Sequence, residues 1–369
     1  MSVKQRWLLP EGIDELMPEQ AQQLEELRRQ LLDMMQSWGY QLVFPPLVEY
    51  LDALLTGTAK TLDLQTFKLT DQVSGRLMGI RADMTPQVAR IAAHNLREHT
   101  DVLRLCYIGN VLHTLPQGTS RNPIQLGAEI YGHAGPESDM EILQLMIEVL
   151  NTTGTVSDLL LDLGHVGIYR GLAEHAGLSD EQEHELFTAL QRKALPEIED
   201  LLTSYQLTAD SRAMLLALAE LNGGVEVLAT AKNVLAKAPK QVQAALATLQ
   251  TVADMTAKRL PELTLNFDLS ELRGYNYHTG LVFAVYQRGS ANAVATGGRY
   301  DDIGEDFGNA QPATGFSLDL KVLVNQLASA ATKKAPISVS WSDDEAEQKK
   351  VEQLREQGEV VIYQFAENK

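Results

Sequence analysis

Near the start of the chain, apolar residues recur every three or four positions, which is the spacing of one face of a helix. The residues on this face are Leu24, Leu27, Leu31, Met34 and Trp38. Pro18 suits a first helical turn, and Gly39 suits a position just past a helix end. The pattern therefore predicts a helix over residues 18–38.

Three later stretches carry the same signal, two of them with recognisable helix starts. Thr85 followed by Pro86 is a good N-cap and first-turn pair. Ser138 and Glu141 have the spacing of a capping box ahead of an apolar run. In residues 316–327 the apolar side chains again fall on one helical face. Each of these stretches is therefore predicted to be a helix.

Other parts of the chain alternate polar and apolar residues or form short apolar runs, as strands do. These parts are TFKLTD with RLMGIR, DVLRLCYIGNVLH with RNPIQLGAEIYGH, LLLDLGH, LTLNFDL, GLVFAVYQ and NAVATGG. The first two pairs are predicted to be hairpins. From about residue 170 to 258 strand signals are absent, which predicts an all-helical insertion. Hairpin-linked strands with helices between them indicate an α+β fold with a largely antiparallel sheet.

The length and the last segment suggest how the chain is divided. A chain of 369 residues is long enough for two domains. We expect a main domain over residues 1–330, which includes the helical insertion at 170–258. Residues 331–369 predict a strand, a helix and a strand, about one βαβ unit. This segment is too small to be stable alone, so we expect it to pack on the main domain or on a partner.

Composition and charge exclude several classes of protein. The residues are 44% hydrophobic and 22% charged, and the net charge is −18. An acidic chain is a poor general binder of nucleic acid, which attracts cations. No run of 18 apolar residues or secretory signal occurs, so we expect no membrane attachment. The single cysteine, Cys106, lies in an apolar run, which favours a packed thiol and a reducing cytoplasmic location.

The short motifs that mark metal and phosphate sites are missing from the sequence. No HExxH, CxxC or GxxxxGK[ST] pattern occurs, and the eight histidines are scattered. We therefore expect no metal, no P-loop and no bound cofactor.

Candidate chemistry appears on the predicted strand PIQLGAEIY. Alternation places Gln125, Gly127, Glu129 and Tyr131 on one face and apolar residues on the other. Gly127 leaves room for a ligand between the amide and the carboxylate. The alternative is an ordinary solvated face.

A second predicted strand with a polar face, carrying Asn266 and Asp268, leads towards Arg273. If both polar faces line one concave sheet, Glu129 and Arg273 lie in the same site. An arginine with carboxylates suits a zwitterion, because the ammonium pairs with the carboxylate and the ligand's carboxylate with the guanidinium. Asp83 is a candidate second carboxylate.

Two nearby features can also be explained as ordinary structural elements without a ligand. Asp83 stands where a carboxylate would stabilise a helix start, and Thr85 suits a plain N-cap better than a ligand contact. The paired glycines of ATGGRYDD could admit a ligand or could form a tight turn.

Taken together, four segments resemble the catalytic domain of histidyl-tRNA synthetases. These segments are RADMT, RNPIQLGAE, ELRGYNYHTGLVF and ATGGRYDDIGEDFGNAQPATGF, in that order. The resemblance covers residues 5 to 330, including the helical insertion. It implies a class II synthetase-like antiparallel sheet flanked by helices, in a domain that self-associates as a dimer. It also implies that the short C-terminal segment is remnant-sized compared with the family's anticodon-binding domain.

The resemblance also identifies a binding site. The positions that match the family's histidine site are Asp83, Thr85, Gln125, Glu129, Arg273, Tyr277, His278 and Tyr300. Asp83 stands where synthetases carry a glutamate that holds the α-ammonium group. Arg273 matches their catalytic arginine. His278 replaces a second tyrosine, so the contacts to the imidazole differ from the family's.

Departures from the family concern the nucleotide. The synthetases carry an arginine that binds the ATP phosphate, and His113 aligns with that position here. Leu115 aligns with the acidic residue that follows it in the synthetases. The family's GLER reads DLKV here, with Asp319, Lys321 and Val322 at the glycine, glutamate and arginine. Loss of both cations should prevent amino-acid activation, because each stabilises charge on the triphosphate. We therefore expect no catalytic residue.

A protein that keeps the histidine pocket and lacks the ATP-binding arginines resembles the regulatory subunits of ATP phosphoribosyltransferase. Their forms of RADMTPQVARI and RGYNYHTGLVF are very similar to the segments of this chain. The resemblance implies a non-catalytic protein of histidine biosynthesis. It would join a short-form catalytic subunit in a hetero-oligomer, activate it, and mediate allosteric feedback inhibition by L-histidine at the first step. One alternative is a truncated histidyl-tRNA synthetase-like ligase that activates histidine or another amino acid. Another is a scaffold with a vestigial pocket.

Overall fold

The computed structural model describes residues 7–56, 60–115, 120–152, 159–270, 277–327 and 335–365. The chain divides into two compact units, Met1–Gln326 and Leu327–Lys369. Among the described helices, none is both long enough and apolar enough to cross a membrane.

The first unit contains twelve strands within the described ranges. They are β1 Gln41–Leu42, β2 Val48–Tyr50, β3 Phe67–Thr70, β4 Leu77–Ile80, β5 Leu103–Asn110, β6 Ile124–Tyr131, β7 Leu159–His165, β8 Asn222–Gly223, β9 Thr264–Asp268, β10 Leu281–Gln287, β11 Ala293–Arg299 and β12 Ala313–Asp319.

Its described helices surround these strands. They are α1 Pro18–Ser37, α2 Leu51–Leu55, α3 Lys60–Gln65, α4 Thr85–Arg90, α5 Pro136–Asn151, α6 Val166–Ala176, α7 Asp180–Gln191, α8 Leu195–Ser204, α9 Ala209–Ala217, α10 Glu226–Val234, α11 Lys240–Arg259 and α12 Leu320–Gln326. A π-helical turn, Ile91–Asn95, follows α4, and a 3-10 turn spans Glu305–Phe307.

Nine of the described strands form one sheet in the order β1-β5-β6-β12-β11-β10-β7-β9-β8. The pairs β1–β5 and β7–β9 are parallel, and the other neighbours are antiparallel. A small second sheet has the order β2-β4-β3. These pairings confirm the α+β fold, the largely antiparallel sheet and both predicted hairpins.

The first helix is confirmed closely. Helix α1 begins at Pro18, and Gly39 just beyond its end has a φ of 85°, a conformation that glycine adopts at little cost. Leu27, Leu31 and Met35 on its apolar face are buried. Burial of such side chains contributes about 1.5–3 kcal/mol each and anchors the helix to the core.

The helical insertion is also confirmed. Between β7 and β9 the chain forms helices α6 to α11, interrupted among the described residues only by the two-residue strand β8. Helices α6 and α11 pack closely because Gly171 has no side chain. A Cβ atom there would lie 2.7 Å from the Cγ2 atom of Val242.

The predicted capping box is wrong. Helix α5 begins at Pro136, with Gly135 as its N-cap, so Ser138 already lies inside the first turn. The Ser138 hydroxyl donates to the carbonyl oxygen of Gly135, and Glu141 pairs with Arg104 at 2.6 Å. The proline starts the helix three residues earlier than the box would.

The helix predicted over residues 316–327 is half wrong. Residues 313–319 form β12, between β6 and β11, and only Leu320–Gln326 is helical. Phe316 and Leu318 are buried along the strand. Their period-two alternation is hidden in the sequence because the apolar face continues directly into the helix.

The second unit consists of β13 Ile337–Ser340, α13 Glu345–Glu356 and β14 Val361–Gln364. The two strands are parallel, as the predicted strand–helix–strand order requires. The Asp344 carboxylate caps α13 by accepting from the backbone N–H of Ala346 at 2.7 Å. Trp341 packs edge-on against Tyr363, with 5.0 Å between ring centroids.

Candidate functional site

The polar face of β6 is buried rather than solvated. Gln125 is 8% exposed and Glu129 is 1% exposed, so the solvated-face alternative is wrong. Gly127 lies between them and pairs with Tyr107 of β5. A Cβ atom at Gly127 would lie 2.3 Å from the Tyr107 hydroxyl oxygen. The space that glycine leaves is therefore filled by the tyrosine ring, which crosses between the amide and the carboxylate.

The Gln125 side chain joins β6 to the turn that precedes α4. Its Oε1 atom accepts from the backbone N–H of Met84 at 2.9 Å, and its Nε2 atom donates to Asp83 Oδ1 at 2.8 Å. The same Asp83 oxygen accepts from the backbone N–H of Thr85 at 2.9 Å. Asp83 thus does what both interpretations proposed: it supports the helix start and lies beside the polar face of β6.

Thr85 is not the N-cap of α4, which corrects the sequence prediction. Met84 holds that position without a side-chain bond. The Thr85 hydroxyl instead lies 2.9 Å from the Tyr107 hydroxyl, which donates to Glu129 Oε1 at 2.9 Å. The threonine hydroxyl therefore faces the buried polar cluster instead of capping the helix.

Glu129 is held by two phenols. Tyr300 donates to its second carboxylate oxygen. No described lysine, arginine or histidine forms an ion pair with it. Burial raises the Glu129 pKa to about 8, an effect that the two tyrosine hydrogen bonds only partly oppose. An uncompensated buried carboxyl of this kind attracts a ligand group that is cationic or donates hydrogen bonds.

A glycine on the neighbouring strand makes room for this carboxylate. Gly315 pairs with Glu129 across β12 and β6. A Cβ atom at Gly315 would lie 1.5 Å from Glu129 Oε2. Any side chain there would displace the carboxylate.

The rings of Tyr277, His278 and Tyr300 lie together beside Glu129 and form an aromatic side of the site. The Tyr277 ring stacks on Tyr300, with centroids 5.1 Å apart and planes at 25°. The Tyr277 hydroxyl is buried and has no hydrogen-bond partner in the described part of the chain. Burial raises the pKa of Tyr277, and the nearby carboxylates of Glu129 and Asp83 raise it further. This hydroxyl is therefore a neutral group available to a ligand.

The paired glycines lie within β11 and do not form a tight turn. A Cβ atom at Gly298 would lie 2.7 Å from Cδ2 of His278, and one at Gly297 would lie 2.6 Å from the Phe283 ring. The glycines therefore make room for two rings. The His278 ring also meets Tyr277 edge-on, with centroids 5.1 Å apart.

Two polar residues of the strand that leads to Arg273, Asn266 and Asp268, do not reach this cluster. Their strand β9 belongs to the same sheet as β6, but four strands lie between the two. Asn266 instead donates to Asp162 at 2.8 Å, and Asp268 pairs with Lys193 at 2.6 Å. Arg273 lies outside the described residues.

Sequence reasoning missed Tyr107 and Gly315. The usable signal for Tyr107 is the hairpin register, because a glycine in one strand often faces an aromatic residue in its partner. Gly315 carries no local signal, since the segment around it has the pattern of a helix.

A cavity of about 680 Å³ adjoins the site on the side of Asp83 and Gln125. His113, Asp319 and Val322 also line it, and none of its described lining residues is a lysine or an arginine. His113 Nε2 lies 2.8 Å from the carbonyl oxygen of Ala82. A triphosphate would find no cationic partner in this described lining.

The other three positions that depart from the family's nucleotide site are hydrogen-bonded within the protein or exposed. Asp319 accepts from the backbone N–H groups of Ile124 and Lys321 at 3.0 Å each, and burial raises its pKa. The Lys321 ammonium donates to Asp14 at 3.1 Å. Leu115 is 65% exposed.

Within the residues that the structure describes, no group of three or more His, Cys, Asp or Glu side chains is arranged to hold a metal ion.

Comparisons with known proteins agree on one family. A family model described as histidyl-tRNA synthetase matches residues 12–323, and a model of the ATP phosphoribosyltransferase subunit HisZ C-terminal domain matches residues 334–369. A protein of Nitrosococcus oceani named ATP phosphoribosyltransferase regulatory subunit is 56% identical over 367 residues, which cover 99% of this chain and 91% of that one. A protein of the same name from Alkalilimnicola ehrlichii is 56% identical over 98% of this chain and 90% of its own length.

Solved structures show the same fold. A Bacillus halodurans protein, described as an ATP phosphoribosyltransferase regulatory subunit/histidyl-tRNA synthetase, superposes with a TM-score of 0.85 at 27% identity and covers 97% of this chain and 93% of its own. The histidyl-tRNA synthetase of Nostoc sp. PCC 7120 has a TM-score of 0.77 at 19% identity, over 98% and 87% of the two chains. With relatives more than half identical over nearly its whole length, the chain belongs to the family of ATP phosphoribosyltransferase regulatory subunits.

Proposed function

We propose that this protein is a non-catalytic regulatory subunit that senses L-histidine. It assembles with a short-form catalytic subunit of ATP phosphoribosyltransferase, activates it, and mediates its feedback inhibition by histidine in the cytoplasm. Its own first unit forms a dimer at the centre of this hetero-oligomer. The names of the 56% identical relatives support the partnership, and the buried polar cluster supports the ligand.

The observation that carries the ligand proposal is the buried carboxyl of Glu129. It is 1% exposed, and its hydrogen-bond partners among the described residues are neutral hydroxyl groups, those of Tyr107, Tyr300 and Thr85. A ligand nitrogen that donates or carries charge would compensate it. The imidazole of histidine offers such a nitrogen, and the unpartnered Tyr277 hydroxyl offers it a second contact.

The rest of the amino acid is assigned from the neighbouring groups. The α-ammonium group lies against Asp83, which Gln125 and the Thr85 N–H hold in position. The α-carboxylate pairs with Arg273, as the resemblance implies. Tyr300 and His278 form the walls beside the ring. In this arrangement each charge of the zwitterion has an opposite charge, which is what a desolvated pocket requires.

The adjoining cavity argues against the alternative of an amino-acid ligase. Asp83 and Asp319 line it, and its described lining supplies no lysine or arginine for a triphosphate. Two carboxylates would repel the nucleotide, and no cation would stabilise charge as pyrophosphate leaves. Histidine can therefore be bound here without being activated.

Two measurements on the isolated full-length protein test the proposal. Titration calorimetry with L-histidine should show saturable binding, and histidine-dependent ATP–pyrophosphate exchange should stay at background. Robust exchange would establish the ligase alternative instead. Absence of histidine binding, both alone and with the catalytic subunit, would leave only the scaffold interpretation.

A further inference from the structure

The polar face of β6 ends in a buried tyrosine, Tyr131. Alternation along the strand places it on the same face as Glu129, two residues further on. Tyr131 is 1% exposed, and it pairs with Leu103 of β5 and with Ala313 of β12. The small side chain of Ala313, and the absence of one at Gly315, leave this part of the face to aromatic rings.

The Tyr131 ring belongs to the aromatic cluster beside Glu129. It meets the Tyr300 ring edge-on, with centroids 6.4 Å apart and planes at 79°. Tyr300 in turn stacks on Tyr277 and donates to the Glu129 carboxylate. The Tyr300 side chain therefore contacts both of the other phenols and the carboxyl group.

The hydroxyls of Tyr131 and Tyr277 share one property. Within the described ranges, they are the buried phenol groups that have no hydrogen-bond partner. The hydroxyls of Tyr107 and Tyr300, in contrast, both donate to Glu129. A buried hydroxyl without a partner costs folding free energy, and phenylalanine would fill the same space without that cost. The two hydroxyls therefore indicate a group from outside the protein that completes their hydrogen bonds.

Both hydroxyls keep their protons and can donate. Burial raises the pKa of Tyr131, and the Glu129 carboxylate raises it further. Burial also raises the pKa of Tyr277, as do Glu129, Asp83 and, to a smaller extent, Tyr131. This influence of one phenol on the other places the two hydroxyls in one neighbourhood. A ligand atom beside them must accept a hydrogen bond, whereas a ligand atom beside the Glu129 carboxylate must donate one.

We propose that Tyr131 is a further ligand-binding residue of the histidine pocket, an inference that rests on the proposed function. Its hydroxyl and that of Tyr277 donate to acceptor atoms of the bound amino acid, while Glu129 accepts from a ring nitrogen. A neutral imidazole offers both kinds of atom, because one nitrogen carries a proton and the other carries a lone pair. Phenol donors beside a carboxylate acceptor are complementary to such a ring.

The experiment measures histidine affinity and stability on the same full-length variants. Tyr131→Phe removes the hydroxyl and keeps the ring that packs on Tyr300. In titration calorimetry, affinity for L-histidine should fall about three- to tenfold, the range for one lost hydrogen bond. Without histidine, the variant should unfold at a urea concentration equal to or higher than that of the original protein, because the lost hydroxyl has no partner there.

The matched control is Tyr169→Phe in α6. Tyr169 is fully buried, like Tyr131, but its hydroxyl donates to the carbonyl oxygen of Glu183 at 2.6 Å. Removal of this hydroxyl should lower the urea midpoint and leave histidine affinity unchanged. Tyr277→Phe should behave like Tyr131→Phe, with weaker binding and no loss of stability.

The outcomes separate the two proposals. If the original protein does not bind histidine, the proposed function fails. If it binds, and Tyr131→Phe binds equally well, only the role of Tyr131 is overturned. Weaker binding together with a lower urea midpoint in Tyr131→Phe, or an equal loss of affinity in Tyr169→Phe, would also overturn it, since neither result is specific to a contact with the ligand.

Discussion

Two neighbouring compartments lie over the same sheet, and they differ in how their polar groups are arranged. In the inner one, Glu129 is enclosed by Tyr107, Tyr300 and Gly315. In the outer one, a cavity of about 680 Å³ is open beside Asp319 and has no described cationic lining. Both compartments contain carboxylates, but only in the inner one is the carboxylate closely packed by neighbouring side chains.

The contrast supports the proposal that this synthetase-like sheet binds an amino acid without activating it. A single donor nitrogen can satisfy an enclosed carboxyl with phenols around it. A triphosphate carries several negative charges and needs cations that the described cavity lining does not contain. Under the proposed function, ligand recognition and activation depend on different residues, and we expect that each set can be changed separately.

The largest expected effect comes from Glu129→Gln. It replaces a carboxyl that can ionise and accept from the ligand nitrogen with a neutral amide of the same shape, so histidine affinity at pH 9 should fall about 30- to 100-fold. Calorimetry on the folded variant measures this loss. Glu141→Gln is a control, because Glu141 is a half-buried glutamate whose partner is Arg104. Unchanged binding in Glu129→Gln would place the ligand elsewhere.

The same variant should be more stable than the original protein at alkaline pH. The Glu129 pKa is raised to about 8 in the folded state, above its ordinary value of 4.5. The folded state therefore holds a proton that the unfolded state has released, and stability falls as pH rises from 4.5 towards 8. Above pH 8, Glu129→Gln should gain on the order of 1–2 kcal/mol. Denaturant unfolding at pH 9 checks this, and a loss of stability would contradict it.

Gly315→Ala should have the next largest effect. The new methyl group would displace the Glu129 carboxylate, and affinity for histidine should fall about tenfold. Gly224→Ala makes the same chemical change beside another carboxylate, that of Glu226, which is exposed and can move away. It should bind histidine normally. Equal binding by both variants would show that the position of the Glu129 carboxylate is unimportant.

Histidine affinity should also depend on pH in a direction set by Glu129. Below its pKa of about 8 the carboxyl is largely protonated, so it must release its proton before the carboxylate can accept a hydrogen bond from the neutral imidazole N–H of the ligand. Affinity should therefore rise from pH 7 to pH 8, by about three- to fivefold. Titration in buffers of different ionisation enthalpy should show proton release in the original protein. The same release in Glu129→Gln would assign the proton to another group.

The smallest effect on histidine binding is expected from the outer compartment. Val322→Arg adds a cation to the cavity lining. ATP affinity should rise about three- to tenfold, while histidine affinity stays the same. Val322→Leu controls for size. A marked fall in histidine affinity in Val322→Arg would show that the two compartments are not independent.

Local sequence patterns predicted part of the site and long-range pairing decided the rest. Alternation along β6 placed Gln125 and Glu129 on one face, and the structure confirms that they share it. The order of the sheet is not encoded locally, so the sequence could not show that four strands separate Asn266 and Asp268 from β6. The role of Gly315 follows only from the pairing of β12 with β6.

The hydrogen bonds at the start of α4 were also hard to predict from the sequence. Thr85 has the composition of an N-cap, but Asp83 accepts from its N–H and leaves the hydroxyl to Tyr107. Whether a threonine caps a helix or faces a site depends on which neighbour satisfies the backbone first. Gln125, on another strand, donates to the same Asp83 oxygen that accepts from the Thr85 N–H, and this contact between distant residues is not visible in the local sequence.

The most direct test of the central claim compares the original protein with Glu129→Gln in complex with a short-form catalytic subunit. Phosphoribosyl transfer to ATP is measured with and without L-histidine. Both proteins should activate the catalytic subunit, and only the original complex should be inhibited at histidine concentrations that saturate its pocket. Equal inhibition of both complexes, or no activation by either, would contradict the account.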